Sequence, residues 1–421
     1  MEVQNPKGTR DYLPEEQITR DEIVAILKKV FESYGYLPLD TPAFERYELL
    51  ASKYAGGDEI LKETFKFTDQ GKRELGLRYD LTVPLARVVA QNPNLTLPFR
   101  RYQIGKAWRD GPVEATRYRE FMQCDADIVG SGSPVADAEI ICIVNSAFER
   151  LDLAVDIKIN SIKLLNDILQ EAEVDKEKTA TVILSLDKLE KVGKNSVAEE
   201  LNKKGIKKEA QKKIFDLIEI NGTNEEKINA LKNKLKLQDG IKEVEEILAL
   251  CKDLRNLSLD LKLARGLSYY TGIIIETFLK NSSVKTSVCS GGRYDKLLGS
   301  FAQNREYSAL GVSFGLDRIY DAMVEKRRAQ KKTLTQILFV PIRLYAESIK
   351  ICDDIRKQGI NVELAIEKSI SANLNYANSK GIPFVAIYGE KEKEQGKIKI
   401  RNMSTGEEKL LRIEEIGSMT K

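Results

Sequence analysis

The chain has 421 residues, 42% apolar and 31% charged, with a formal net charge of +3, which describes a globular protein of two or three domains. It contains no histidine, which excludes imidazole general bases, histidine metal ligands and the usual near-neutral pH switch. No apolar run reaches bilayer length, no signal pattern opens the chain, and five scattered cysteines without zinc-site spacing point to reduced thiols, so a cytoplasmic location is expected.

Taken in order, Ile23, Ile26, Leu27, Val30 and Phe31 predict a helix over 20–34, stopped by Gly35 and followed by an extended Leu37–Pro42. Residues 65–79 read as hairpins around Asp69-Gln-Gly71. In Leu77–Pro84, Thr82 before Val83-Pro84 reads equally as a helix N-cap or, with Asp80, as a partner for an ammonium group. Arg100–Arg109 and Arg119–Ile128 are expected strands around the loop Asp110–Thr116, and Val135–Leu151 an amphipathic helix. Residues 161–250 are rich in Lys and Glu, largely helical, and read as an insertion with solvated charged faces. Strand-and-glycine character returns over 260–323, and 325–333 reads as a linker. Beyond it, 337–340, 362–364 and 384–388 alternate with helical segments, which argues for a small domain with a mostly parallel sheet.

Three segments carry the candidate chemistry. Leu263–Gly272 sets Arg265 beside Tyr269 and Tyr270, so one loop can aim a fixed cation and two phenols at a small polar ligand. Ser290-Gly-Gly-Arg-Tyr-Asp295 reads as a second glycine-bounded polar loop. In the strand over 119–128, alternation puts Met122, Cys124, Ala126 and Ile128 on one face. Arg119, Phe121, Gln123, Asp125 and Asp127 take the other, with Arg109 and Arg117 at the rim. Such a hairpin can hold a phosphate above and an amine below. Arg318 falls in the first turns of a helix that follows the strand from Tyr307, where helix dipole and guanidinium both attract phosphate.

Arg109 with Arg119–Asp127 resembles motif 2 of class II aminoacyl-tRNA synthetases, Gly315-Leu-Asp-Arg318 resembles motif 3, and the helix 20–34 leading to Pro42 resembles motif 1. Leu263–Gly272, Ser290–Asp295 and the opening Pro6–Tyr12 are similar to signatures of the histidyl-tRNA synthetase family. The resemblance implies an α+β catalytic domain with an antiparallel sheet over 1–160 and 255–325. It further implies a helical insertion domain over 161–254 and an anticodon-binding-like α/β domain over 334–421. It assigns Asp80, Leu81, Thr82, Arg109, Gln123, Asp127, Arg265, Tyr269 and Tyr270 to histidine. Within that set, Asp127 and Tyr270 grip the imidazole nitrogens. Arg109, Arg119 and Arg318 go to ATP, and Arg109 and Arg265 are the catalytic pair. ATP with Mg²⁺, L-histidine, tRNA(His) and a second copy of the chain are the implied partners, with no membrane. Ser268 stands where the family usually has Asp, and Pro112–Thr116 is not a close match to family loops at the tRNA acceptor end. A catalytically silent regulatory paralogue and a tRNA sensor without chemistry are the competing readings.

Overall fold

The apolar spacing of Ile23 to Phe31 produces a helix over Pro14–Ser33, six residues longer at its start than the periodicity predicts. Pro14 opens it, and Glu15 and Glu16 complement its N-terminal dipole. Gly35, at φ +78°, ends it while Tyr36 N donates back to Phe31 O (3.0 Å). The structure is a computed structural model that describes residues 3–53, 61–113, 118–265, 269–301, 307–327, 331–366 and 369–419. Arg117, Ser268 and most of the 112–116 loop, each singled out from the sequence, therefore lie outside the described residues. Two compact units emerge, residues 1–10 with 23–326 and residues 11–22 with 327–421.

The first unit is built on an eight-stranded sheet. Its strands are β1 (Leu37–Pro38), β5 (Phe99–Trp108), β6 (Glu120–Val129), β7 (Val155–Ser161), β8 (Leu257–Leu259), β9 (Ile273–Leu279), β10 (Cys289–Arg293) and β11 (Ala309–Gly315). They run in the order β1-β5-β6-β11-β10-β9-β7-β8. The six inner strands are antiparallel, as expected, and only the edge pairs β1/β5 and β7/β8 are parallel. A small antiparallel sheet of β2 (Phe44–Arg46), β4 (Glu74–Leu77) and β3 (Lys66–Thr68) stands apart from it.

The helices Pro14–Ser33 and Pro134–Arg150 bury Ile23, Leu27, Phe31, Ile140, Val144 and Phe148 with Cys124, Ala126 and Ile128 of β6. Phe314 of β11 sits between Phe31 (centroids 5.7 Å) and Phe148 (5.8 Å). Ser133 caps the second helix by accepting from Val135 N (3.2 Å). Six helices between Ile162 and Leu250 close a second apolar cluster, which takes in Leu259 and Ala264.

The second unit holds a five-stranded sheet of β12 (Ile337–Pro341), β13 (Val362–Leu364), β14 (Phe384–Tyr388), β15 (Ile398–Asn402) and β16 (Glu408–Leu411), in the order β13-β12-β14-β15-β16. β12 is parallel to both its neighbours, but β15 and β16 form an antiparallel hairpin, so the sheet is mixed. The turn that makes the hairpin uses Asn402, whose Oδ1 accepts from Ser404 N (2.9 Å), and Gly406 at φ +74°.

Candidate active site

The site grows from one property of β6, its side-chain period of two. Cys124, Ala126 and Ile128 enter the apolar core, so Gln123, Asp125 and Asp127 must face the other way. There they join a cavity of about 470 Å³ whose walls also include Asp80, Thr82, Arg109, Arg265, Tyr269, Tyr270 and Arg318. The three arginines that the sequence places in separate segments thus line one cavity, together with Asp127 and Tyr270.

Glycines open the floor. Gly311 lies opposite Asp127 across the β6/β11 ladder, and a Cβ there would stand 2.0 Å from Asp127 Oδ1. At Gly291 of β10 a Cβ would stand 2.0 Å from Gly311 O. Ser290–Asp295 is consequently not the loop its glycines suggest. It is largely a central strand whose missing side chains leave room for neighbouring backbone and for Asp127.

Asp127 is held from two sides. Tyr294 donates its hydroxyl to Oδ1, and Arg101 of β5, opposite Asp127 in the ladder, brings Nη2 to 2.8 Å from Oδ2. This second contact is an ion pair, not a well-angled hydrogen bond. Both side chains are buried, and Arg101 also donates to Leu81 O (3.2 Å). Burial pushes the Asp125 carboxyl up to about 7; Arg101 opposes the shift and Asp127 adds to it. Gln123 Nε2 donates to Ser313 Oγ (2.9 Å), which fixes the amide beside these acids.

The cations are each aimed by a neighbour. The Arg109 guanidinium lies 4.2 Å from the Tyr79 ring centroid and 4.9 Å from that of Phe121, an aromatic clamp, and no carboxylate pairs with it among the described residues. Arg265 donates Nη1 to Glu276 and lies 5.7 Å from the Tyr270 ring. Tyr269 and Tyr270 stack at 4.6 Å, and burial raises the Tyr269 phenol above its ordinary range. Arg318 sits in the first turn of the helix Leu316–Lys326, as expected, and donates to Ser287 O (2.6 Å). Its neighbour Asp317 accepts from Met122 N (3.1 Å) and so ties this helix to β6.

Some expectations need revision. The helix Thr82–Gln91 is capped by Asp80, whose Oδ1 accepts from Thr82 N (3.0 Å) and Val83 N (3.1 Å); Thr82 is not the cap but the first helical residue. Leu81 is buried and absent from the cavity wall, and its carbonyl is engaged by Arg101. Arg119 is also outside the wall, paired with Asp110 (3.2 Å) and donating to Gly111 O (3.3 Å). Within Ser290–Asp295, Arg293 turns to the buried Asp137 (2.8 Å) and Asp295 accepts from Ala309 N (2.8 Å), so only Tyr294 of the three serves the cavity floor. Sequence reasoning missed Arg101, Tyr294, Glu276 and the Tyr79/Phe121 clamp. Arg101 and Gln103 do alternate with apolar residues in β5, a signal that their face is shared with β6. Among the described residues no group of three or more Cys, Asp or Glu side chains could hold a metal.

The family model described as histidyl-tRNA synthetase matches residues 8–319, and that described as an anticodon binding domain matches residues 336–421. The chain is 43% identical over 419 residues to "Histidine--tRNA ligase 1" of Bacillus cereus, covering 97% of both chains. It is 39% identical over 454 residues to "Histidine--tRNA ligase" of Bacteroides fragilis, covering 99% of this chain and 98% of the relative. The crystal structure of histidyl-tRNA synthetase from Nostoc sp. PCC 7120 superposes with a TM-score of 0.88 at 28% identity, over 100% of this chain and 99% of that one.

Proposed function

The chain belongs to the histidyl-tRNA synthetase family, and from that premise we propose that it is a ligase joining L-histidine to the 3′ end of tRNA(His) in two steps. Histidine's carboxylate attacks the α-phosphorus of ATP, giving histidyl-adenylate and pyrophosphate. A terminal ribose hydroxyl of the tRNA then attacks the adenylate carbonyl. One observation carries the reading: Arg109, Arg265 and Arg318 share a single cavity with Asp127 and Tyr270.

The residue types suit the first step. Two anions must meet, and guanidiniums already fixed by Tyr79, Glu276 and Ser287 offset their repulsion without reorganising as charge develops. The attacking carboxylate is ionised at neutral pH, so a chain without histidine lacks nothing that the step needs. We read Arg109 and Arg265 as the pair at the α-phosphate and Arg318 as the γ-phosphate contact. Asp80, Thr82 and Gln123 are read as holding the α-ammonium and backbone of histidine.

Selectivity follows from hydrogen-bond complementarity. A neutral imidazole has one donor and one acceptor. Asp127, paired with Arg101, accepts, and Tyr270 donates. An amino acid without that pair strands buried polar groups, a strong basis for rejection. Mg²⁺ is read as arriving with ATP, since magnesium is usually bound through phosphates plus one or two carboxylates. Among the described residues no cluster of carboxylates or thiols builds a dedicated cage for it.

Residues 161–254 are read as a separate insertion domain on the acceptor arm and 334–421 as the anticodon reader; the enzyme is read as a cytoplasmic homodimer. A silent regulatory paralogue is disfavoured because Arg265 and the C-terminal unit are both retained. The test is ATP–pyrophosphate exchange with each amino acid in turn, followed by charging of tRNA(His). Exchange supported by histidine alone is the expected result, and a folded protein that exchanges with none, or prefers another amino acid, overturns the reading.

A further inference from the structure

One wall of the cavity comes from an unexpected place. Lys191 belongs to the helical segment 161–250, whose lysines read from sequence as solvated faces, yet it lines the same cavity as Arg265 and Arg318. Several other lysines of the segment are paired. Lys188, Lys194, Lys204, Lys213 and Lys232 each stand 2.6–3.1 Å from a carboxylate of the same segment. The Lys191 backbone N–H donates to Lys188 O (2.9 Å), but its ammonium has no hydrogen-bond or ion-pair partner among the described residues, and the side chain is exposed.

Local geometry presents it. Val192 N donates to Lys188 O (3.0 Å), closing one helical turn, and Gly193 then leaves the helix at φ +79°, ψ 164°. The turn is anchored on both sides of Lys191. Leu189 enters the apolar cluster of the helical segment. Glu190 reaches Lys158 of β7 (3.7 Å), which also pairs with Asp260 (2.8 Å), five residues before Arg265. A cation on a tethered turn, facing a cavity and lacking an acid, is suited to a ligand that brings its own negative charge. A lysine ammonium is a compact point charge with three donors and binds phosphate well in that role.

We infer that Lys191 binds a phosphate oxygen of the substrate at the cavity mouth, either on the ATP polyphosphate or on the phosphodiester at the tRNA 3′ end. The inference rests on the ligase reading above, and its test separates the two. The variants are K191M, which keeps the apolar stem and removes the charge, and K191R, which keeps the charge. Because the side chain is exposed, both are expected to fold. Wild-type enzyme must first show histidine-dependent exchange; if it does not, the ligase reading itself has failed.

Exchange without tRNA reports the ATP phosphates, and single-turnover transfer from preformed adenylate reports the tRNA end. Loss of one charge-assisted contact corresponds to roughly a tenfold effect. A tenfold rise in the KM for ATP in exchange, restored by K191R, assigns the contact to ATP. Unchanged exchange with a tenfold rise in the tRNA concentration for half-maximal transfer, again restored by K191R, assigns it to tRNA. K191M within twofold of wild type in both assays overturns the inference, as does a defect that K191R does not relieve.

Discussion

The two large sheets of this chain bury different things. The five-stranded sheet of the C-terminal unit is apolar through its middle, with Ile337, Phe339, Val385, Ala386 and Ile400 all inaccessible to solvent. The eight-stranded sheet has an equally apolar face, but its other face buries Arg101, Gln103, Asp125 and Asp127, and polar atoms of Arg101, Gln103 and Asp125 lack hydrogen-bond partners among the described residues. Desolvating charge costs stability unless pairing offsets it, so a sheet does not accumulate such a layer for the sake of folding. The contrast separates a scaffold from a surface organised around a polar ligand.

Four measurements sharpen or break that contrast. Asp127→Asn has the largest expected effect. It leaves the fully buried Arg101 without its carboxylate, and denaturant melts should show the first unit destabilised by about 3–5 kcal/mol, with histidine-dependent exchange lost as well. A stability close to wild type would mean that the Arg101–Asp127 pair holds nothing together. Arg265→Ala comes next. Exchange should fall by roughly a hundred- to thousandfold while circular dichroism stays native, because the residue acts on developing charge and not on the core. Wild-type-like exchange in that variant removes the mechanism.

The third measurement uses pH. Asp125 has its carboxyl raised to about 7 in the fold, above the roughly 3.9 of an unfolded chain. Between those values the folded state holds a proton that the unfolded state has released, so stability falls as pH rises through the window and levels off above about 7. Asp125→Asn should flatten this slope, gaining on wild type by a few kcal/mol at most between roughly pH 5 and pH 8 in thermal melts. Parallel profiles for the two proteins would show Asp125 ionised throughout. The smallest effect is expected in the other sheet. Ile400→Val should cost the C-terminal unit about 1 kcal/mol and leave exchange unchanged; a clear loss of exchange would tie the apolar sheet to the chemistry.

Much of the site was legible because its pattern is local. Alternation over 119–128 already separates Cys124, Ala126 and Ile128 from Gln123, Asp125 and Asp127, and the strand-to-helix step at Gly315–Leu316 already places Arg318 in a first turn. Local sequence misleads where two readings of one segment are equally good. The glycines of Ser290–Asp295 look like loop residues until the ladder shows Gly291 against Gly311 and Val312. Thr82 looks like a cap until the Asp80 carboxylate takes that role. The hairpin of β15 and β16 lies beyond the strand-and-helix alternation of 337–388, in a charged stretch where only Ile398 and Ile400 signal a buried face.

By itself, then, the order of residues determined most of the strands and helices, which faces of β6 and its covering helices are apolar, and which arginines and tyrosines are candidates for chemistry. These depend on periodicity and on turn residues within a few positions of each other. Only the tertiary structure decided that Arg101 faces Asp127, that Tyr294 and not Arg293 points at the floor, and that Lys191 reaches the cavity from a distant helical turn. Strand register and cross-chain charge pairing link residues many positions apart, and the energy that selects them is the cost of leaving a buried charge alone, which no local pattern records.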